Sequence, residues 1–157
     1  DDDTSPQPSD AQGQVLLNME TLWQQAYPSE CVIVRPTGIY GTSVSRMIKL
    51  AETTKSYPKL HWSNRIHIDD LVAFLAHLLH VEHTEKSYIC SNSQPLPLHE
   101  IIQWFQQQLG LPVLVLESAV SSGKQIHATR MQQMNFELQH PHCFDDYLAL
   151  LAERESK

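Results

Sequence analysis

Asn64, Arg65, His67, Asp69 and Asp70 fall within one short stretch, "NRIHIDD", which gathers a guanidinium, an imidazole and two carboxylates. A guanidinium can fork onto a phosphate or carboxylate through two parallel N–H bonds, so Arg65 is a candidate substrate-binding residue, with His67 beside it. The plainer reading pairs Arg65 with a surface acid and His67 with a neighbouring loop. Asp69 and Asp70 stand where a helix begins. Carboxylates are expected there as an N-cap and first-turn charges rather than as an acid/base pair. Trp62, just upstream in "KLHWSNR", is a third substrate-side candidate, able to floor a pocket in an irregular stretch. Trp23 and Trp104 read as packing residues. His77, His80 and His83 recur every third residue, yet no thiol or carboxylate stands at ligand spacing, which points to a solvated helix face. His140, His142 and Cys143 in "HPHC" lack a second ligand pair, and no metal site is expected.

A second stretch, "RPTGIYG" (35–41), follows the apolar run "CVIV" (31–34). Pro36 fixes φ, and Gly38 and Gly41 allow the backbone to approach a flat partner closely. Ligands of open α/β sheets sit at the carboxyl ends of strands, where this turn would lie. The alternative is a plain strand-to-helix connection shaped by proline and glycine alone.

The surrounding elements follow from periodicity. Val15, Leu16, Met19, Leu22, Trp23 and Ala26 recur at helical spacing, and Pro28 and Ser29 end that helix. "CVIV" reads as a short strand covered on both faces. Residues 42–52 form a helix capped by Thr42 or Ser43, and residues 53–64 look irregular. A brief strand at 65–68 leads into a helix over 69–83, with Asp69 as N-cap and Leu71, Phe74, Leu75, Leu78 and Leu79 as its buried stripe. A strand at 86–91 precedes a helix at 97–110 closed by Gly110. Strands at 113–117 and 124–128 follow, with "SSGK" (121–124) as a turn between them. A short helix at 129–134 and a terminal helix at 144–155 complete the chain, with Leu148 and Leu151 facing inward. The alternation predicts an α/β fold.

Composition narrows the classes of function. The chain has 157 residues and a net charge of −7, with lysines and arginines scattered, so a nucleic-acid footprint is not expected. No apolar run reaches the ~18 residues that span a bilayer. Three widely spaced cysteines, Cys31, Cys90 and Cys143, argue against a disulfide framework and for a reducing, cytoplasmic setting. The opening "DDD" carries no methionine, which fits a fragment or a processed product.

Taken in order, "RPTGIYG", "NRIHIDDLVAFLAHLL" and "KSYICSNSQPLPLHEIIQWFQQQLG" resemble the C-terminal half of the extended short-chain dehydrogenase/reductases, the NAD-dependent epimerase/dehydratase family. The resemblance covers residues 1–153. It implies the C-terminal part of a Rossmann-like doubly wound sheet plus a small substrate-side α/β subdomain over residues 1–157, with residues 1–12 a surface loop. The dinucleotide-binding N-terminal half would be absent. It further implies NAD or NADP as cofactor of the full-length protein, with Pro36, Thr37, Gly38 and Ile39 beside the nicotinamide. A nucleotide sugar or other small polar metabolite would be the substrate, and the helix over 13–26 would serve a homodimer. Two departures stand out. The five glycines, at 13, 38, 41, 110 and 123, form no phosphate-cradling loop. Where the family carries Tyr-x-x-x-Lys, alignment on Glu20 places Gln12 and Leu16, and residues 1–26 hold no tyrosine and no lysine. Gln12 cannot exchange a proton near neutrality and Leu16 carries no charge. The catalytic residues are therefore not identified. Three readings stay open: an NAD(P)-dependent epimerase/dehydratase or reductase, a non-catalytic NAD(P)-binding sensor or regulator, and a small independent α/β interaction module.

Overall fold

The structure, a computed structural model, describes residues 1–155. Helix α1 (Ala11–Ala26) starts at Asp10, whose carboxylate accepts the Gly13 amide at 2.7 Å. Strand β1 spans Ile33–Pro36, two residues later than the apolar run suggested. The Cys31 amide instead donates to the Tyr27 carbonyl and extends the turn that closes α1. Strand β2 (Gly38–Tyr40) follows at once. "RPTGIYG" is thus a strand that changes partner at Thr37, not a simple turn. Upstream, β1 pairs in parallel with β6 (Ser87–Cys90), Pro36 facing Cys90; downstream, β2 pairs in parallel with β5 (Arg65–His67), Tyr40 facing His67. The switch is stitched by the Thr37 amide donating to the Cys90 carbonyl and the Gly38 amide to the Asn64 carbonyl, both at 3.0 Å.

Helix α2 (Ser45–Thr53) has Val44 at its N-cap, not Thr42 or Ser43, although the Ser43 hydroxyl accepts the Ser45 amide at 3.1 Å. The stretch 53–64 holds two strands, β3 (Ser56–Tyr57) and β4 (Leu60–Ser63). They are too short to show a period and find partners far along the chain. Strand β3 pairs with β8 (Val115–Leu116), and β4 lies between β7 (Leu96–Pro97) and β9 (Ser121–Ser122). The strand expected at 124–128 does not form. Asn64 holds that segment by its side chain, donating to the Lys124 carbonyl and accepting the Ile126 amide, each at 2.8 Å.

Helix α3 (Ile68–Leu78) is shorter than the pattern implied, and His67, not Asp69, is its N-cap: Nδ1 accepts the Asp69 amide at 3.2 Å. Leu71 and Phe74 are buried, whereas Leu75 and Leu79 are exposed. Helices α4 (Leu98–Gln108), α5 (Thr129–Gln133) and α6 (Cys143–Glu155) complete the chain. Leu151 faces inward as expected, but Leu148 faces solvent.

Two apolar cores result. One gathers Met47, Ile48, Ile102, Phe105 and Tyr147 between α2, α4 and α6. The other packs Phe74, Tyr88 and Met131 against Ile66. Strand β2 runs between the two through Tyr40, so the partner switch at Thr37 lies where the two halves of the fold meet. Residues 1–10 run over the surface, except that Asp2 is buried. Its carboxylate accepts the Ile89 amide at 2.5 Å and the Arg130 amide and Thr129 hydroxyl at 3.0 Å.

Candidate functional site

The partner switch opens two concavities. One, about 330 Å³, is lined by Gly38, Ile39 and Tyr40 of β2, by Ser43, Arg46 and Met47 at the start of α2, and by Ser63, Arg65 and Tyr147. Arg65 is only 8% exposed. It donates to the Ser63 hydroxyl at 2.8 Å and lies against the Tyr147 phenol. No carboxylate pairs with it among the described residues, and its Nε has no hydrogen-bond partner. Two guanidiniums, Arg46 and Arg65, therefore line a cavity that contains no acid, in a chain whose net charge is −7. Burying a cation without a counter-charge costs several kcal/mol, and Arg65 is such a buried cation at the cavity wall, whereas Arg46 is exposed at its rim. The Tyr147 phenol is pushed up to about 12, mainly by burial, and stays neutral at ordinary pH.

The second concavity, about 290 Å³, lies behind the switch, against Arg35, Pro36, Thr37, Gly38, Asn64, Ile89 and Ile126. Gly38 belongs to both, and a Cβ there would sit 2.9 Å from the Asn64 carbonyl oxygen. Pro36 and Thr37 line this face, whereas Ile39 lines the first cavity. Its position at the carboxyl ends of β1 and β6, with an apolar floor, fits the flat reactive end of a nicotinamide. No residue of the chain supplies a glycine-rich cradle for the pyrophosphate.

Not every candidate joins these surfaces. Trp62 sits in β4 with its indole N–H on the Ser121 hydroxyl at 3.0 Å, outside both linings. His67 is buried beside Arg65 but does not line the cavity. Its ring stacks on His140, centroids 3.7 Å apart and planes at 18°. Gln12 and Leu16 are exposed on α1. One α1 residue does tie into the switch: Glu20 accepts Arg35 Nε at 3.0 and 3.1 Å and Nη2 at 2.5 Å. That bond holds the Arg35 guanidinium above its usual pKa. Sequence spacing carried no sign of Arg46, because it shares a cavity with Arg65 only in the folded chain.

His67, Asp69 and His140 place potential ligand atoms within 4.8 Å of one another. Imidazole lone pairs lie in the ring plane. In two stacked, near-parallel rings they cannot converge on one ion at the ~2.0 Å a metal requires, so the cluster is not a metal site as it stands. What it does hold is a hydrogen-bonded chain. His140 Nδ1 lies 2.6 Å from Asp146 Oδ1, and the Tyr40 phenol donates to Asp146 Oδ2 at 2.6 Å. The three cysteines are free; burial pushes the Cys90 thiol up to about 12 and the Cys143 thiol up to about 11, so neither is a nucleophile near neutrality. No helix of the described chain is long and apolar enough to cross a membrane.

No protein-family model matches the sequence, and no curated protein matches it. Solved structures do. A protein of Methylobacillus flagellatus, provisionally assigned as an NAD-dependent epimerase/dehydratase, is 32% identical over 99% of this chain, with a TM-score of 0.79. The dTDP-glucose 4,6-dehydratase of Bacillus anthracis in complex with NAD shares 13% identity over 99% of the chain, TM-score 0.73. RMD of Pseudomonas aeruginosa, complexed with NADPH, shares 14% identity over the whole chain, TM-score 0.66. The last two establish the fold alone. The chain spans 57%, 56% and 60% of those three proteins respectively. The likeness to the 32% identical protein places the chain in the NAD-dependent epimerase/dehydratase family of extended short-chain dehydrogenase/reductases.

Proposed function

We propose that the chain is the substrate-side half of an NAD(P)-dependent epimerase/dehydratase- or reductase-like protein whose substrate is a small anionic metabolite, a nucleotide sugar before others. The observation that carries this reading is Arg65, 8% exposed, without a carboxylate partner, facing a cavity that Arg46 also lines. A phosphate supplies the missing counter-charge and can be forked by a planar guanidinium. Ser43 and Ser63 offer hydroxyls to the same ligand. The face at Pro36, Thr37 and Gly38 would meet the nicotinamide, which supplies the hydride when bound; Ile39 would contact the substrate rather than the ring. Pyrophosphate binding is left to the other half of the protein.

Whole protein is the material for the test. Equilibrium binding of UDP and dTDP sugars should weaken at least tenfold in Arg65→Met and severalfold in Arg46→Ala, with NADH binding unchanged in both. Equal affinity in wild type and Arg65→Met would refute the assignment of the cavity.

A second reading is favoured by one specific observation: residues 1–26 contain neither tyrosine nor lysine, and Gln12 and Leu16 are exposed on α1. On that reading the protein binds cofactor and ligand without turnover, as a sensor. Single-turnover absorbance of bound NAD or NADP, the oxidised cofactor that can take a hydride from a sugar hydroxyl carbon, with the tightest-binding sugar nucleotide separates the two. A change at 340 nm (roughly the reduced nicotinamide band) marks an enzyme, and none marks a sensor.

A further inference from the structure

His140 and Asp146 play no part in the reading above, yet they grip the wall of the anion cavity. Asp146 sits in the first turn of α6, one residue before Tyr147, and Tyr40 is the last residue of β2; both tyrosines line that cavity. One Asp146 oxygen takes the Tyr40 hydroxyl and the other takes His140 Nδ1, each at 2.6 Å. The Tyr40 hydroxyl also approaches the His140 carbonyl, at 3.5 Å. We propose that His140 and Asp146 are positioning residues which fasten α6 to β2 through Tyr40 in a proton-dependent way, so that the anion cavity holds its ligand more tightly when His140 is protonated. The proposal rests on the anion-cavity reading for its effect on binding, but the latch itself is a property of the fold.

The groups facing the His140 ring come from each packed element. Asp146 lies on α6, Tyr40 on β2, His67 at the end of β5, and Asp69 on α3, its Oδ2 3.8 Å from Nε2. Asp70, buried on α3, holds the backbone instead. It accepts the Gln139 amide at 2.8 Å and the His140 amide at 3.0 Å, so the segment stays pinned whatever the ring's charge. Tyr40 cannot release its proton in the physiological range: burial first, then the bond to Asp146, hold the phenol far above its usual value. Asp146 Oδ2 therefore always has a neutral donor, and only the bond at Oδ1 changes character with pH. Protonated, His140 makes a charge-assisted bond to a carboxylate. Neutral, with its hydrogen on Nδ1, it keeps the bond at roughly half the strength.

The sign follows from the direction of the shift. The hydrogen bond to Asp146 raises the His140 pKa above the ordinary histidine value, against an opposing contribution from burial; the charges of Asp146, Asp70 and Asp69 add to the rise. A raised folded-state value means the charge-assisted part of the latch is complete below the unfolded histidine pKa of ~6.5 and is lost as pH climbs through the folded one, leaving the weaker neutral bond.

The test combines histidine ring NMR with binding, in whole protein. The His140 resonance, assigned by its absence in His140→Gln, should titrate above the ordinary histidine range in wild type and fall back into it in Asp146→Asn. UDP affinity should drop about fivefold from pH 6 to pH 8.5 in wild type, and Asp146→Asn and His140→Gln should flatten that profile while Tyr40→Phe preserves the raised His140 midpoint. A wild-type midpoint in the ordinary range, or an unchanged pH slope in Asp146→Asn, overturns the proposal. Should UDP fail to bind at any pH, the cavity reading falls and takes the binding effect with it. The latch is then upheld if thermal stability loses its pH dependence across this window in Asp146→Asn, and overturned if it does not.

Discussion

Gly41 shows how much a single position can carry. Its φ of +115° is open only to glycine without strain, and a Cβ there would stand 2.3 Å from His67 Nε2. Gly41→Ala is expected to cost about 2–4 kcal/mol, from backbone strain and overpacking together. Urea unfolding measures it, and a loss below 1 kcal/mol would show that the His67–His140 stack yields easily. The glycine was visible in "RPTGIYG", where it suggested close approach to a ligand; in the fold, what approaches is His67. Arg65 was legible as a candidate because a guanidinium beside a helix start is a local pattern, and in the fold it lines a cavity. The stacking of His67 on His140 was not, because those residues meet only when the segment before α6 docks on Asp70 of α3, and spacing along the chain holds no record of that.

Among the elements, the joint between α2 and α4 depends on one amide. Gln106 is 1% exposed and donates through Nε2 to the Ala51 and Thr54 carbonyls at 3.0 and 2.8 Å; its Oε1 accepts the Leu114 amide at 2.8 Å. It thereby satisfies the carbonyls left open at the end of α2 and the strand-like segment beyond α4 at once. Gln106→Leu keeps the volume but strands three backbone groups, and is expected to cost about 2–4 kcal/mol by chemical denaturation. A neutral effect would mean that water replaces those bonds. In the sequence Gln106 stands in "QQQ", on a helix whose long period was easy to read, and nothing marks it off from its exposed neighbour Gln107. Long helices were legible because their apolar stripes repeat several times. Strands β3, β4, β7, β8 and β9 are two to four residues each and exist only through partners distant in sequence.

For the molecule as a whole, α1 is the open question of packing. It has no buried residue, and Val15, Met19, Leu22 and Trp23 are each at least half exposed, held near the sheet by the Glu20–Arg35 pair and by Gln24 on the Lys86 carbonyl. An apolar helix face of this kind marks a contact surface, and a second copy of the chain is one cover that can be tested. Residues 1–157 expressed alone are expected to associate as concentration rises, by sedimentation velocity, and Leu22→Gln with Trp23→Gln to reduce that association. A monomer at all concentrations would show that the face tolerates water. The sequence by itself determined the class of fold and its family, since these rest on local periodicity and on a short ordered set of motifs. Tertiary structure alone decided that the chain changes strand partner at Thr37, that Arg46 and Arg65 line one cavity, and that Ile39 lines that cavity rather than the one behind the switch. Each of those depends on parallel pairing and helix docking between segments that no local pattern connects, and such contacts become determinate only when the whole apolar surface is buried at once.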